Sequence, residues 1–441
     1  MTVTETLLQR PSREHEGADA LIREARRLHR RRRRRQAALV AAALLAVAGL
    51  VVAIQGAPPP PTHRPPSPAH PPAPPAQRRV QGPSLGPATS YQLTGPIGVA
   101  VNLEGDVYFS DGNRVLGVDH ATGQLEVVAG TGAFGYSGDG GPGPQARLSG
   151  PAGLAVAPDG DVYFEDGNRI RRVSATTGII STVAGNGRTG FLASESPSGN
   201  GGPAVRASLI LATTGAGSVG LNDGLAFGPF GYLYLADGGN DEVQKVSLSS
   251  GVITRVTGGR APCAPDDGIC AAAVPSCPPV GLAVDGSSDV FVATACGAIR
   301  EVSGTTGALS TIFSTGTAPA VAGKGGNHDP VGLAVLADRK LLVTEAYGRR
   351  LLEIDLRDGK VALVAGTGAQ TLPEPHQTAG DGGPASRATF GLALGAAVDR
   401  QGDVFVADFF NNAIRMIDAR TGVISTIAGH IPTSPAQGHC C

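Results

Sequence analysis

Along most of this chain, short apolar runs alternate with tight-turn residues, and the alternation itself repeats. One unit, residues 151–187, reads PAGLAVAPDGDVYFEDGNRIRRVSATTGIISTVAGNG. Its apolar runs GLAV, DVYF, NRIRRV and IISTVA are separated by PDG, EDG and TTG. Runs this short, rich in Val, Ile, Tyr and Phe and punctuated by Asp-Gly or Thr-Gly, predict β-strands joined by tight turns. A matching unit spans 96–132, others start at Asn222, Pro279 and Pro330, and a sixth holds 396–429. Six copies of four strands, spaced by roughly 50–70 residues, predict an all-β fold over 91–430: a six-bladed β-propeller of four-stranded antiparallel blades. Neighbouring blades then cover both faces of each small sheet, which accounts for inner strands that are apolar almost without interruption.

The first ninety residues follow a different pattern. Residues 37–54, AALVAAALLAVAGLVVAI, are uncharged and apolar without a break. As a helix they would extend about 27 Å, enough to cross a bilayer core. Eleven arginines precede them, six consecutive at Arg30–Arg35, and only Arg64 follows them closely. That asymmetry predicts a basic cytoplasmic segment over 1–36, a signal-anchor helix over 37–54 and everything beyond Ile54 outside the cell. A cleaved signal peptide would have a shorter apolar core and an A-x-A-like site, which Ile54-Gln55-Gly56 does not provide. Proline makes up more than half of the segment from Gly56 to Pro75, so 55–90 reads as an extended extracytoplasmic linker of the polyproline type. A tail, 431–441, follows the last repeat.

Composition sharpens this outline. Gly numbers 64, aromatics make up 4% and Trp is absent, which favours short strands and turns over long helices. The net charge of −1 averages a strongly basic segment, 1–36, with a mildly acidic remainder. The acidic body lacks the basic stripe that nucleic-acid binding requires. Arginine far outnumbers lysine, a bias of GC-rich genomes.

The pattern P-x-G-[LV]-A-V, followed by G-D-V-Y-[FV]-x-D-x-x-N-R-[IV], resembles the NHL repeat. The region 91–430 is similar to a six-bladed NHL propeller, of the kind found in membrane-anchored bacterial proteins of actinobacterial type. That resemblance implies a protein- or ligand-binding platform, as in the extracytoplasmic sensor propellers of bacterial receptors. It also implies an alternative, because related propellers include metal-dependent lactonases and lyases with calcium or zinc in the central channel.

Candidate chemistry is sparse. A carboxylate recurs at the end of the second strand: Asp111, Asp166, Asp237, Glu345 and Asp408, with Thr294 in the fourth blade. A cation site needs one convergent point, whereas a turn device is needed in every blade, so these read as structural acceptors of backbone N–H groups in their own turns. The strings GTGAFG (130–135) and GNGRTG (185–190) match a dinucleotide fingerprint but open no helix, and read as turns leaving the outer strand. GPSLG (82–86) matches a nucleophile elbow but follows no strand. No catalytic or cofactor-binding residue can be assigned; His328 and Asp329 are the pair to inspect first for a metal.

Cys263, Cys270, Cys277 and Cys296 are spaced too widely for a zinc site and read as disulfide-forming outside the cell. Three pairings are possible, and local loop closure favours 263–270 with 277–296. Cys440 and Cys441 read as intermolecular bonding partners.

Glycine-rich loops complete the set. SGDGGPGPQARL (137–148) recurs as SGNGGPAVRASL (198–209) and AGDGGPASRATF (379–390). Asp139, Asp267 and Asp381 each stand at the same distance before the start of the next repeat, at Pro151, Pro279 and Ala393. A fixed distance of this kind predicts connectors between blades. Expected partners are a protein or cell-envelope ligand and, through Ala37–Ile54, the membrane.

Overall fold

The structure, a computed structural model, describes residues 82–188, 199–211, 224–259, 277–314, 330–369 and 380–429. Within them the repeats form six antiparallel sheets. Blade 1 runs from its inner to its outer strand as Pro96–Val101, Val107–Asp111, Arg114–Val118 and Gln124–Ala129. The inner strands of blades 2 to 6 are Pro151–Val156, Leu225–Gly228, Pro279–Val284, Pro330–Leu336 and Ala393–Val398. The expected membrane segment 37–54 lies outside the described residues, with the basic head, linker residues 55–81 and the tail. Among the described residues no helix is long and apolar enough to cross a membrane.

Apolar side chains on both faces mean that no blade can stand alone; each needs a neighbour on either side. The second strand is buried along its whole length in blades 1, 2, 4 and 6. Apolar clusters accordingly form between blades. Tyr108 and Val115 meet Leu154 and Phe164 at the first seam. Tyr163 and Ile170 meet Leu225 and Leu233 at the second, and Tyr234 and Val256 meet Leu282 and Val290 at the third. Phe291 and Ile299 meet Leu333 and Leu341 at the fourth, and Leu342 and Leu351 meet Val404 and Val406 at the fifth. Phe405 and Ile414 pack on Val99 and Phe109 at the sixth, which closes the ring.

Near the axis the inner strands approach too closely for side chains. A Cβ built on Gly98 would stand 2.5 Å from the Ala152 carbonyl of blade 2, and one on Gly395 would stand 2.8 Å from the Ile97 carbonyl of blade 1. This is the physical content of the glycine in P-x-G: six inner strands converge, and only a bare Cα fits between them.

Every blade also carries an irregularity that periodicity did not reveal. Between the third and fourth strands the register slips by one residue, at Val115/Leu116, Ile170/Arg171, Val243/Gln244, Ile299/Arg300, Leu351/Leu352 and Ile414/Arg415. An extra residue in one strand increases the local right-handed twist. The end of each outer strand is thereby swung toward the neighbouring blade, where the connector begins.

Closure of the ring corrects one sequence boundary. In an ordinary connector the Gly130 N–H donates to the Gly143 carbonyl, and the Gly143 N–H donates to Gly178 in the next blade. Gly366, Ala385 and Gly422 repeat the arrangement. At the sixth seam Gly429, leaving the last outer strand, donates to the Ala88 carbonyl at 3.1 Å, and the Ala88 N–H donates to Gly123 at 3.0 Å. Residues 82–94 thus occupy the place of a connector from blade 6 to blade 1. Residues 82–90, expected in the linker, belong to blade 1. Within GPSLG, Ser84–Pro87 is an edge strand paired with Gln124–Glu126.

Gly98→Ala should lower unfolding free energy by about 1–3 kcal/mol through overpacking. Gly286→Ala, at a glycine with open space around its Cβ position, should leave it unchanged. Chemical denaturation of the two variants checks the comparison.

Candidate functional site: the connector end of the propeller

Because the strands of each blade are antiparallel, the second strand ends where the first begins, and the connectors arrive at that same end. Most of the carboxylates singled out from sequence gather there. Asp111 accepts the Thr94 N–H at 2.7 Å and the Thr94 hydroxyl at 3.2 Å. Asp166 accepts the Ser149 N–H, and Asp408 accepts Gly391 N–H at 2.8 Å. Asp237 accepts the Ile210 N–H at 2.8 Å. These bonds run to the incoming connector, not only to the carboxylate's own turn as expected. Own-turn contacts also occur, from the Asn240 amide to Asp237 and from the Asn411 amide to Asp408. The long-range bond has a structural reason: a connector entering the centre of the ring brings backbone N–H groups away from water, and a buried donor must be matched.

The spacing of this clamp is regular. Donor and acceptor are 17 residues apart in blades 1, 2 and 6 and 27 apart in blade 3. Blade 3 therefore carries an insertion between Ile210 and Asp237.

Blades 4 and 5 differ at this place. Thr294 replaces the carboxylate in blade 4, and a disulfide joins Cys277 to Cys296 with Cα atoms 5.6 Å apart. Cys277 stands two residues before Pro279, as Ser149 stands two before Pro151, so the covalent bond ties the segments that the Asp clamp ties elsewhere. Cys263 and Cys270 lie outside the described residues. In blade 5 Glu345 receives the Arg350 guanidinium at 2.8 and 3.0 Å. His328 and Asp329, just ahead of that blade, also lie outside the described residues.

The glycine-rich connectors grip the next blade. Asp139 accepts Arg171 at 2.7 Å and the Tyr136 hydroxyl at 2.9 Å. Arg171 is fully buried and also reaches Asp166 at 2.9 Å. Asp381 takes Arg415, likewise fully buried, at 2.5 Å. In blade 3 the pair is neutral on both sides: Asn200 accepts Gln244 at 3.1 Å and donates to Glu242 at 3.1 Å. Asp267 lies outside the described residues. Sequence reasoning missed Arg171, Arg415 and Gln244. The available signal was a long polar residue inside the third strand, at the same position of four repeats, Arg300 of blade 4 included.

A second set of carboxylates, at the opposite end, was also missed. Asp106, Asp161, Asp289 and Asp403 stand immediately before the second strands and accept N–H bonds from His120, Ala175, Gly304 and Ala419 at 2.7–2.9 Å. Blades 3 and 5 use the Gly231 and Arg339 carbonyls instead. The dinucleotide-like strings are likewise committed to the fold. Gly130, Thr131 and Gly135 N–H groups donate to the connector, while Arg114 binds the Thr131 carbonyl, an arrangement opposite to a phosphate cradle.

What the connector end presents outward is aromatic. Phe134 is 69% exposed, and Tyr136, Tyr347 and Phe410 are each more than two-fifths exposed. Tyr136 is held with the Arg169 guanidinium 3.7 Å from its ring centroid. Next to the axis Ile97, Val331, Leu392 and Leu394 pack with Phe409 into an apolar cluster. Among the described residues no group of three or more His, Cys, Asp or Glu is placed to hold a metal.

Comparison with known proteins agrees with this architecture. A family model described as the teneurin NHL domain matches residues 121–202 and 340–441. The chain carries an NHL-repeat β-propeller. Mouse Teneurin-3 is 38% identical over 118 residues, which cover 23% of this chain and 4% of that protein. Zebrafish Teneurin-3 is 41% identical over 98 residues, 19% of this chain and 4% of the relative. The matched part of this NHL propeller thus spans a small fraction of the curated relatives' length. Among solved structures, an auxiliary nutrient binding protein from Bacteroides thetaiotaomicron is 11% identical, with a TM-score of 0.50 over 79% of this chain and 76% of that one. Virginiamycin B lyase from Staphylococcus aureus is 14% identical, with a TM-score of 0.42 over 78% and 87%.

Burial sets the titration of the clamp. It pushes Asp237 up to about 7, against the hydrogen bonds from Asn240 and Ile210. It pushes Asp408 up to about 6, against the charge of Arg415. Asp111 and Asp166 are raised for the same reason. A carboxyl raised in the folded state binds its proton more tightly there than in the unfolded chain. Its contribution to stability is complete below about pH 4 and is lost as pH rises toward 7. For Asp139 burial pushes upward, but bonds to Thr182 and Tyr136 and the charge of Arg171 outweigh it and lower the carboxyl. Its contribution is lost only below about pH 4, in a separate window. The unfolding midpoint should therefore fall between about pH 4.5 and 7.5, with a shallower fall in Asp237→Asn, as thermal melts across that range will show.

Removing the disulfide with Cys277→Ala/Cys296→Ala should cost about 2–4 kcal/mol. Adding Thr294→Asp to that variant should recover part of the loss by restoring the carboxylate clamp, measurable by denaturant titration.

Proposed function

We propose that the NHL propeller is an extracytoplasmic binding or scaffold module, sensor-like in layout and carried on the proline-rich linker from a membrane anchor at Ala37–Ile54. The observation that supports this most is the set of outward aromatic side chains at the connector end. Phe134 and Tyr136 come from the connector after blade 1, Tyr347 from blade 5 and Phe410 from blade 6, and all are exposed on a hydrogen-bonded frame. Exposed aromatics on a rigid support bury large area at low entropic cost when a partner arrives, which is the composition of interface anchors. Anchoring is supported by the charge asymmetry around the apolar run. The partner is a protein or another component of the cell envelope.

Two measurements test the reading. The full chain should remain in the membrane fraction after an alkaline wash. Phe134→Ala/Tyr347→Ala/Phe410→Ala should keep the unfolding midpoint of the parent while losing about ten-fold or more of the envelope protein cross-linked to the parent chain. An unchanged cross-linking pattern would remove the connector end as the binding surface.

A further inference from the structure

At the end of the blades opposite the connectors, the seam between blades 2 and 3 opens into a cleft of about 320 Å³. We propose that this cleft is a binding site for a neutral polyhydroxylated ligand, of the size and chemistry of a single pyranose ring. Asp159, Asp161, Tyr163 and Arg172 line it from blade 2, and Ser247 and Leu248 from blade 3.

Tyr163 carries most of the argument. The residue is 4% exposed, it lines the cleft, and among the described residues its hydroxyl has no hydrogen-bond partner. Its ring is buried while its hydroxyl opens into the cleft, where it is free to bond a donor or an acceptor from outside. At the equivalent position of blade 1 Gly117 stands in place of Arg172, and a Cβ built there would stand 3.2 Å from the Tyr108 ring and from Val128.

Charge selects the class of ligand. Arg172 is already paired through Nε with Asp161 at 2.5 Å, and the other Asp161 oxygen accepts Ala175 N–H at 2.8 Å. Asp159 is the remaining charge, exposed at the rim, so an anion is disfavoured. The wall that remains mixes an acceptor oxygen of Asp159, donors on the Arg172 amino groups, and the Tyr163 hydroxyl, which acts as both, while the Ser247 hydroxyl is engaged with Ser249 and the Ser250 N–H. Vicinal hydroxyls, each a donor and an acceptor, satisfy such a wall, whereas an amine offers only donors. Val183 and Val246 supply an apolar patch for the ring's C–H face. The volume lies at the lower limit of small-ligand pockets, which sets the size to one ring.

This site stands apart from the connector end and does not rest on the function proposed for it. The test uses the full chain and three probes, the methyl pyranosides of gluco, manno and galacto configuration, read by saturation-transfer NMR with putrescine and glycine as comparators. At least one pyranoside should receive transfer in preference to both comparators. Tyr163→Phe and Asp159→Asn should each weaken its binding about ten-fold or more without lowering the melting midpoint. Tyr234→Phe, at the equivalent position of blade 3, and the triple connector-end variant should bind as the parent does. Absence of transfer to all three pyranosides, undiminished binding in Tyr163→Phe, or preference for putrescine or glycine would each overturn the proposal.

Discussion

The described structure depends on one contact that recurs from seam to seam: the grip of an inter-blade connector on the blade that follows it. A four-stranded sheet that is apolar on both faces has no stable existence by itself, and its two neighbours must be delivered in register. The connector achieves this with backbone bonds at both ends. It receives the N–H leaving one outer strand, pairs with the start of the next outer strand, and then passes inward to the clamp at the end of the second strand. The six bulges between third and fourth strands belong to the same device, since they aim each outer strand at the neighbour it must reach. At the sixth seam residues 82–94 take the place of a connector, through the same pair of backbone bonds at Ala88.

The geometry of the clamp is more constant than its chemistry. Three blades use an Asp carboxylate at one fixed spacing from its donor, and one uses the same carboxylate across a longer segment. Blade 4 replaces it with a disulfide between the corresponding positions. The connector grip varies in the same way, with Asp–Arg pairs in two places and an Asn–Gln pair in a third. Matching matters more than charge here. A fully buried guanidinium is tolerated because carboxylates meet it, and where the connector carries Asn200 the facing position carries the neutral Gln244. Raised carboxyls at Asp237 and Asp408 show that burial was accepted for the sake of position.

Fold was legible in this sequence because repetition amplifies a weak signal. A single run such as DVYF could be a strand or part of a buried helix; the same run in near-identical context around the whole repeat cannot. Asp139 was readable as part of a connector for the same reason, through its fixed distance to the next repeat. Its partner Arg171 was not, because the pair lies far apart in sequence and is spread over a connector and the blade beyond it. The role of Thr294 was hidden for a related reason: a missing Asp gains meaning only when Cys277 is seen at the position of Ser149. GPSLG was unreadable as an edge strand because its partner, Gln124–Glu126, comes only after the three inner strands of blade 1. Periodicity reports what each unit does for itself, and these contacts are what units do for one another.

The two ends of the propeller divide the work in a way that follows from this construction. Residues that every blade needs are held to the repeat, so they are poor places for recognition; a ligand contact there would have to be made in every blade or in none. Recognition can be built where one blade departs from the rest without loosening the ring. Phe134 and Tyr136 stand on a connector whose backbone bonds are already satisfied, and Arg172 stands where blade 1 has a glycine. The longer spacing between Ile210 and Asp237 leaves the bond between them the same as in the other blades. Variation at such positions leaves the grip between blades intact, and that freedom is what lets a rigid, repetitive scaffold acquire particular surfaces.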